Sequence, residues 1–372
     1  MVPSFRFARV AWVLGVACVL GLAARGASGG GDPPAPKPEQ GWVGLYAQPV
    51  QQLEPSQAVE MGVKAERGTV VTVVVEGSPA QTAGIREGDF LVEFAGEAVP
   101  DFELTGKDDA KRRSAWHAAL RARMEGTVPG KAIPVVVSRA GARTTLSLVP
   151  ASPAEARRIQ GCTDAALPDL ATAGEPAAAT FDFEGLAAGA ALPAGFWAYR
   201  GQWQLAAAPG GEKGTVLRQG KATLPWAVLL VTGKGRAVGD GTVSVRLMPL
   251  AGIADQSGGI IVRAQDPENY YVVRPNAIED NFRLYVVKDG VRTTLADLKV
   301  TPPAAGAWHL LEMTFVGDTF RATVDGKDPI EAKDGTFASG WCGLWTKADS
   351  VTLFDDLKIT PAAVPATGAG TK

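Results

Sequence analysis

The chain has 372 residues, which is too long for one ordinary domain and indicates two. Its 37 Lys and Arg residues nearly balance 39 Asp and Glu residues, so it lacks the basic excess of a nucleic-acid-binding protein. The 44 Gly and 26 Pro residues favour a turn-rich β protein, and three Cys residues exclude a disulfide-dense scaffold.

The N-terminal residues carry the features of an export signal. Arg6 and Arg9 form a basic region, and an apolar run follows from Val10 to Ala24. This run is short for a membrane-spanning helix and indicates a secretory signal peptide at residues 1–28. Cleavage, lipidation at Cys18 and retention as an anchor are alternatives. Each predicts an extracytoplasmic location (periplasm, cell envelope or secreted), with a membrane contact only if the signal is uncleaved.

Low-complexity segments divide the remainder of the chain. Residues 29–40 form a Pro-rich spacer, and residues 151–179 form an Ala- and Pro-rich linker. The tail at 361–372 is predicted to be disordered. The folded parts are therefore expected at 41–150 and 180–360.

Residues 41–150 combine short β runs with one amphipathic helix. The helix is predicted at Ser114–Met124, and a shorter one at Ala80–Ala83. The β-branched and aromatic runs predict strands at 42–47, 69–75, 88–94, 133–139 and 143–149.

Several turn residues of this part occur in a recognisable order. Gly77-Ser78-Pro79-Ala80, Ala83-Gly84-Ile85 and Gly88-Asp89 resemble the core signature of PDZ domains, and the order of elements is similar to that of bacterial HtrA-type PDZ domains. The resemblance implies an α+β partial barrel that binds a peptide or protein C-terminus, with Gly41–Leu45 as the carboxylate-binding loop. The implied peptide-binding residues are Trp42, Val43, Gly44, Leu45, Trp116 and Leu120. Core packing is the alternative for the helix residues, and a docking spacer without a ligand is the alternative for the domain.

Residues 180–360 alternate short β runs with turns. Hairpin turns are indicated at Asp289-Gly290, Gly317-Asp318 and Asp325-Gly326, and no helix pattern is convincing. An antiparallel β-sandwich or jelly roll is therefore expected. Strands are predicted at 180–183, 203–207, 241–247, 259–262, 270–274, 282–288, 308–316, 319–324, 342–346 and 351–359.

Motifs in this second part carry another resemblance. Ser257-Gly258-Gly259, Arg263–Tyr271 and Phe354-Asp355-Asp356-Leu357 resemble the concanavalin A-like lectin/glucanase superfamily, more narrowly its laminin-G-like and 3-keto-disaccharide hydrolase-type members. The superfamily includes both enzymes and binding proteins, so the resemblance implies the fold more firmly than the function.

Strand alternation suggests candidate carbohydrate-binding residues, because aromatic faces stack on sugar rings and guanidinium groups bind hydroxyls or carboxylates. Core packing and a solvated sheet face are the alternatives. The candidates are Arg263, Tyr270, Arg274, Arg283 and Tyr285.

Carboxylates at the ends of this part suggest a structural calcium ion, and no other cofactor is indicated. Solvated side chains are the alternative. The candidate ligands are Asp182, Glu184, Asp355 and Asp356.

Catalysis is weakly supported by the sequence. The alternating acidic motif of the superfamily's retaining glucanases is absent, and Glu268, Glu279 and Asp280 fall in expected loops. Ser257-Gly258 resembles a nucleophile motif, but the only upstream His lies in the other part, so no Ser-His-Asp triad is expected.

The predicted function is therefore an exported, non-catalytic binding or scaffold protein. Its PDZ domain binds a peptide or protein C-terminus, and its jelly roll binds carbohydrate or an envelope surface. A glycoside hydrolase acting through the jelly roll is the alternative, and pure scaffolding is a third. Cys162 and Cys342 would form a disulfide in an oxidising compartment only if their Cα atoms come within about 7 Å.

Overall fold

The structure is a computed structural model that describes residues 40–53, 55–65, 67–100, 116, 119–120, 122–124, 126–163, 165–211, 214–220 and 222–362. The predicted signal peptide, residues 29–39 of the spacer and residues 363–372 of the tail lie outside this description, as does His117. Within the described ranges, no helix is long and apolar enough to cross a membrane.

The first part of the chain folds into an antiparallel sheet, called sheet I. Its strands are β1 (Leu45–Pro49), β2 (Thr69–Val74), β3 (Phe90–Phe94), β4 (Glu97–Ala98), β5 (Ile133–Arg139) and β6 (Ala142–Leu148). Their order is β1-β2-β3-β5-β6, with β4 beside β3. Strand β1 therefore lies at one edge of the described sheet.

The described residues beside sheet I include a 3-10 turn at Val50–Gln52 and residues of three α-helices. The helices are α1 (Pro55–Glu60), α2 (Pro79–Thr82) and α3, of which residues 116, 119–120 and 122–124 are described as helical. The Ser78 Oγ caps α2 by accepting the Gln81 N–H at 3.2 Å. Helix α1 was not predicted because it lacks an amphipathic pattern, and its Val59 is 81% exposed.

The second part forms two antiparallel sheets of eight strands each. Sheet II has the order β20-β19-β18-β13-β22-β10-β9, with β7 beside β22, and sheet III has the order β17-β16-β15-β14-β21-β11-β8, with β12 beside β21. The strands are β7 (Ala179–Phe181), β8 (Phe196–Arg200), β9 (Trp203–Ala207), β10 (Thr215–Gln219), β11 (Trp226–Val231), β12 (Ala237–Val238), β13 (Gly241–Ala251), β14 (Gly258–Asp266), β15 (Asn269–Pro275), β16 (Asn281–Lys288), β17 (Val291–Lys299), β18 (His309–Val316), β19 (Thr319–Val324), β20 (Lys327–Lys333), β21 (Gly340–Lys347) and β22 (Val351–Pro361).

The main hydrophobic core lies between sheets II and III. It joins residues of both sheets, including Val245, Phe315 and Phe354 from sheet II and Leu229 and Leu344 from sheet III. The opposite face of sheet III, called its outer face, carries a separate buried cluster that includes Trp226, Trp341 and Trp345. Sheet III is therefore buried on both faces, whereas one solvated face is common in antiparallel sheets.

The predicted linker is folded onto the second part. Its described residues include helix α4 (Pro153–Ile159) and a 3-10 turn, Leu170–Thr172. Leu167, Leu170 and Ala173 pack against the outer face of sheet III. The Thr163 N–H also donates to the Tyr199 carbonyl oxygen at 3.2 Å. The linker therefore covers part of the outer face.

Candidate peptide-binding site and a buried polar cluster

A turn at residues 41–44 leads into strand β1 and is anchored on both sides. The Gly41 N–H donates to the Thr127 carbonyl oxygen, and Trp42 exchanges two N–H···O bonds with Ala151, all at 2.9 Å. Gly44 has a φ of +74°, and a Cβ there would overlap the Ser78 side chain. Glycine is required at this position for both reasons.

Two backbone N–H groups of this turn lie beside a small pocket. The carbonyl oxygens of Val43 and Gly44 accept bonds from the Ala80 and Val75 N–H groups, at 3.0 and 2.9 Å. Among the described residues, no acceptor receives the N–H of Val43 or of Gly44. Both residues border this pocket, which is lined by Gln40, Gly41, Trp42, Val43, Gly44, Leu45, Met124 and Leu224. Such a turn presents donors to an anion.

The helix side of the predicted peptide site needs a correction. Trp42, Val43, Gly44 and Leu45 border the pocket, but Trp116 and Leu120 do not. Both side chains are 3% exposed and pack in the core of the first part. The apolar face of α3 points at sheet I, and of the α3 residues that the structure describes, Met124 alone borders the pocket.

The predicted carbohydrate-binding residues do not form one exposed face. All five are buried, and Arg263 lies apart from the other four. Its φ is +51° at an irregularity of β14, and its guanidinium packs over Phe315 and Phe320 of sheet II. It donates to the Gly239 and Phe337 carbonyl oxygens at 2.7 and 3.1 Å. The bulge turns Arg263 toward the space between the sheets.

Arg274, Arg283 and Tyr285 instead meet in a polar cluster on the outer face of sheet III. Arg274 donates to Glu279 at 3.1 Å and to the Tyr285 hydroxyl at 3.3 Å. Arg283 lies 3.8 Å from Glu279 and 3.0 Å from Asp297. Lys347 pairs with the fully buried Asp255. The cluster is defined here as Asp255, Arg274, Glu279, Arg283, Tyr285 and Lys347.

Positive charge dominates the electrostatics of this polar cluster. Burial alone would raise the pKa of Glu279, but Arg274, Lys347 and Arg283 outweigh it and hold that pKa well below its usual range. Burial likewise favours the neutral form of Tyr285, yet the same cations together with Arg292 lower its pKa. A glycosidase general acid needs a raised pKa, which is the opposite condition.

The first part of the chain closes one end of the polar cluster. Tyr46 of β1 lies close enough to Arg292, Glu279 and Asp255 for their charges to act on its pKa, which burial raises. The Gln57 side chain donates to the Ile253 carbonyl oxygen at 2.6 Å.

Apolar contacts complete this interface. They join residues of the turn and sheet I, the linker and the second part, namely Trp42, Tyr46, Val73, Val75, Ala151, Ala156, Leu224 and Ala348. Neither Asp255 nor Lys347 of the polar cluster was predicted from the sequence. Each is an isolated charge at the end of an apolar run, and this was the signal that could have indicated them.

Three of the four predicted calcium ligands, Asp182, Asp355 and Asp356, have contacts within the chain. The Asp182 carboxylate accepts the Glu184 N–H at 3.2 Å, and Asp355 and Asp356 each lie 3.5 Å from the Arg246 guanidinium. Among the described residues, no group of three His, Cys, Asp or Glu side chains is arranged to hold a metal ion. Calcium stays a prediction without a supporting contact.

A wider, open cleft lies between α4 and strands β8 and β9. Its lining includes Arg158, Phe196 and Trp197. The Trp197 ring stacks on Tyr199 at 5.6 Å, and its indole N–H donates to the Ala165 carbonyl oxygen at 3.0 Å. The Trp197 ring and its N–H group are therefore already in contact with other residues of the chain.

Comparison with known proteins identifies the first part. Residues 70–112 match the PDZ domain family. This region is a PDZ domain. A curated relative from Rhizobium meliloti, "Probable periplasmic serine endoprotease DegP-like", is 33% identical over 141 residues, which is 38% of this chain and 24% of the relative. The match thus spans about a quarter of that relative's length, and the relative's protease activity does not follow for this chain.

Solved structures of other proteins are similar to part of this chain. A carbohydrate-binding module (CBM66) from Bacillus subtilis is 21% identical, with a TM-score of 0.37, over 45% of this chain and 96% of its own. A β-glucanase from Bacillus licheniformis is 12% identical, with a TM-score of 0.33, over 49% of this chain and 97% of its own. The two packed antiparallel sheets II and III make the second part a β-sandwich of the jelly-roll type. The fold is mainly β, a PDZ domain followed by an antiparallel β-sandwich.

Proposed function

We propose that this protein is an extracytoplasmic, non-catalytic binding protein whose PDZ domain captures the C-terminus of a peptide or protein. The observation that carries the proposal is the pair of N–H groups, of Val43 and Gly44, that have no acceptor among the described residues and border a pocket. A terminal carboxylate supplies the acceptors that these donors lack.

The adjacent strand supports the same mode of binding. β1 follows the turn directly and lies at the edge of the described sheet I. A peptide whose carboxylate is held at the turn would continue antiparallel along β1 and pair with its backbone. The pocket would then receive the last side chain of that peptide.

The rest of the proposal concerns location and the jelly roll. The basic and apolar N-terminal residues and the periplasmic naming of the DegP-like relative support export. The jelly roll serves as a platform on which the PDZ domain is docked, and it binds carbohydrate or an envelope surface through a face other than the covered outer face of sheet III.

Peptide binding can be tested without altering the protein. Fluorescence anisotropy of the purified protein, beginning at residue 29, would compare one peptide with a free C-terminal carboxylate and the same peptide amidated. Hydrogen bonds to a charged group contribute roughly 1.5–3 kcal/mol, so amidation should weaken binding about tenfold or more. Equal affinities for the two peptides would refute carboxylate capture.

The non-catalytic part of the proposal needs its own assay. The ion-paired Glu279, with its lowered pKa, is unsuited to protonate a leaving group. The same protein should therefore release no sugar from a panel of glycosides. Turnover that is lost in Glu279→Gln but kept in Asp280→Asn would establish a glycoside hydrolase, because Asp280 pairs with Lys299 on the exposed surface.

A further inference from the structure

The pocket beside the carboxylate-binding turn is not built by the PDZ domain alone. Val43 and Leu45 border it from the turn and β1, and Met124 borders it from α3. Leu224 borders it as well, although this residue belongs to the jelly roll, between β10 and β11. The jelly roll therefore supplies one wall of the pocket.

Leu224 is held firmly in this position. Its N–H donates to the Gln160 side-chain oxygen at 2.8 Å, which ties it to the linker. The preceding residue, Thr223, donates its N–H to the Ala348 carbonyl oxygen at 2.8 Å. The Leu224 side chain is 9% exposed and packs in the same apolar cluster as Trp42 and Tyr46. It cannot swing away without breaking these contacts.

The chemistry of the lining limits what the pocket accepts. Its described walls consist of glycine, apolar side chains and one amide, Gln40, and include no charged side chain. A charged last residue would be desolvated there and would find no partner among the described walls, which is costly. The pocket is small, and both Met124 and Leu224 occupy space in which a large side chain would lie.

We infer that Leu224 of the jelly roll determines which C-termini the PDZ domain binds, by restricting the last residue to a small apolar side chain such as Ala or Val. This inference rests on the proposed carboxylate capture. The selectivity belongs to the docked arrangement of the two parts and would be lost if they separated.

The test uses four peptides that differ only in the last residue, which is Ala, Val, Phe or Lys. Binding to the protein beginning at residue 29 would be measured by fluorescence anisotropy. Ala and Val peptides should bind about tenfold or more tightly than Phe and Lys peptides, as steric and desolvation differences in a closed pocket allow. In Leu224→Ala the Phe peptide should gain at least about fivefold relative to the Ala peptide, while the Lys peptide stays weak.

Two further variants make the result decisive. Leu250→Ala removes a half-exposed leucine that does not border the pocket, so its peptide preferences should equal those of the unaltered protein. If Leu224→Ala does not fold, as judged by its thermal transition, Leu224→Val provides a milder enlargement with the same expected direction.

The outcomes separate the two proposals. Tight binding of all four peptides, or a preference that neither Leu224 variant changes, would overturn the role of Leu224 and leave carboxylate capture intact. Failure of every free-carboxylate peptide to bind would overturn both.

Discussion

Strand β1 separates two sites of opposite character. On one side, Leu45 borders the pocket, where the N–H groups of Val43 and Gly44 lack acceptors among the described residues. On the other side, Tyr46 approaches the polar cluster, where Arg274 is matched by a carboxylate. Neighbouring side chains of a strand point to opposite faces, so one strand serves both sites. The charges of the polar cluster are thus balanced within the chain, whereas the N–H groups at the pocket have no acceptor among the described residues, and the proposed binding role rests on that difference.

The largest expected effect comes from breaking a pair in the polar cluster. Lys347→Met keeps the apolar stem but leaves Asp255 buried without its cation. Removing one partner of a buried pair typically costs about 3–5 kcal/mol. Urea unfolding should therefore show a free energy of unfolding lowered by about that amount.

The matched control is an ion pair on the surface. Arg321 lies 3.2 Å from Glu331 in sheet II, and both side chains are more than half exposed. Arg321→Met should lower the free energy of unfolding by less than about 1 kcal/mol. If Lys347→Met and Arg321→Met lowered the free energy of unfolding equally, the buried pair of the polar cluster would contribute no more than a surface ion pair.

A second, somewhat smaller effect concerns pH. Asp349 accepts the N–H groups of Ile253, Ala254 and Asp255 at 2.5–3.1 Å, and burial raises its pKa from 3.8 to about 6. The folded state therefore holds a proton between about pH 4 and 6 that the unfolded state releases. Stability from this group is present below about pH 4 and is lost as the pH rises to about 6, by roughly 3 kcal/mol.

Asp349→Asn tests this assignment. The amide oxygen still accepts N–H groups but does not titrate, so this component of the pH dependence should be missing from its unfolding curves between about pH 4 and 7. Identical pH profiles for the variant and the unaltered protein would contradict the raised pKa.

The sequence predicted the architecture better than its details. The turn motif Gly77–Ala80 and the hairpins at Asp289-Gly290 and Asp325-Gly326, where all four residues have positive φ, lie as expected. Strand β11 was missed because all six of its residues are apolar, and such a run does not distinguish a strand from a buried helix. The edge strands β17 and β20 were missed because their polar residues hide the alternation.

The sequence predicted only those parts of the candidate site that consecutive residues form. The turn at 41–44 was expected from the resemblance to PDZ domains, in which Gly41–Leu45 takes the place of the carboxylate-binding loop. The contribution of Leu224 depends on how the two parts pack, and no spacing in the sequence records that packing. Arg263 was grouped with Arg274 and Arg283 on the condition that their strand faces adjoin, but at a bulge in β14 its side chain packs on Phe315 and Phe320 of sheet II instead.

The smallest effect concerns the two cysteines, which lie on the linker and the jelly roll and therefore report on their docking. Both thiols are free in the structure, so no disulfide joins them. Cys342 is fully buried, and burial raises the pKa of its thiol to about 12, so it presents almost no thiolate at pH 8. Cys162 is half-buried, beside the Arg200 guanidinium.

Iodoacetamide should therefore add one label to the folded protein beginning at residue 29 and two after unfolding without reductant, as read by intact mass. A protein that takes no label until it is reduced would instead contain the bridge, and two labels in the folded state would show that sheet III is more open than its packing indicates.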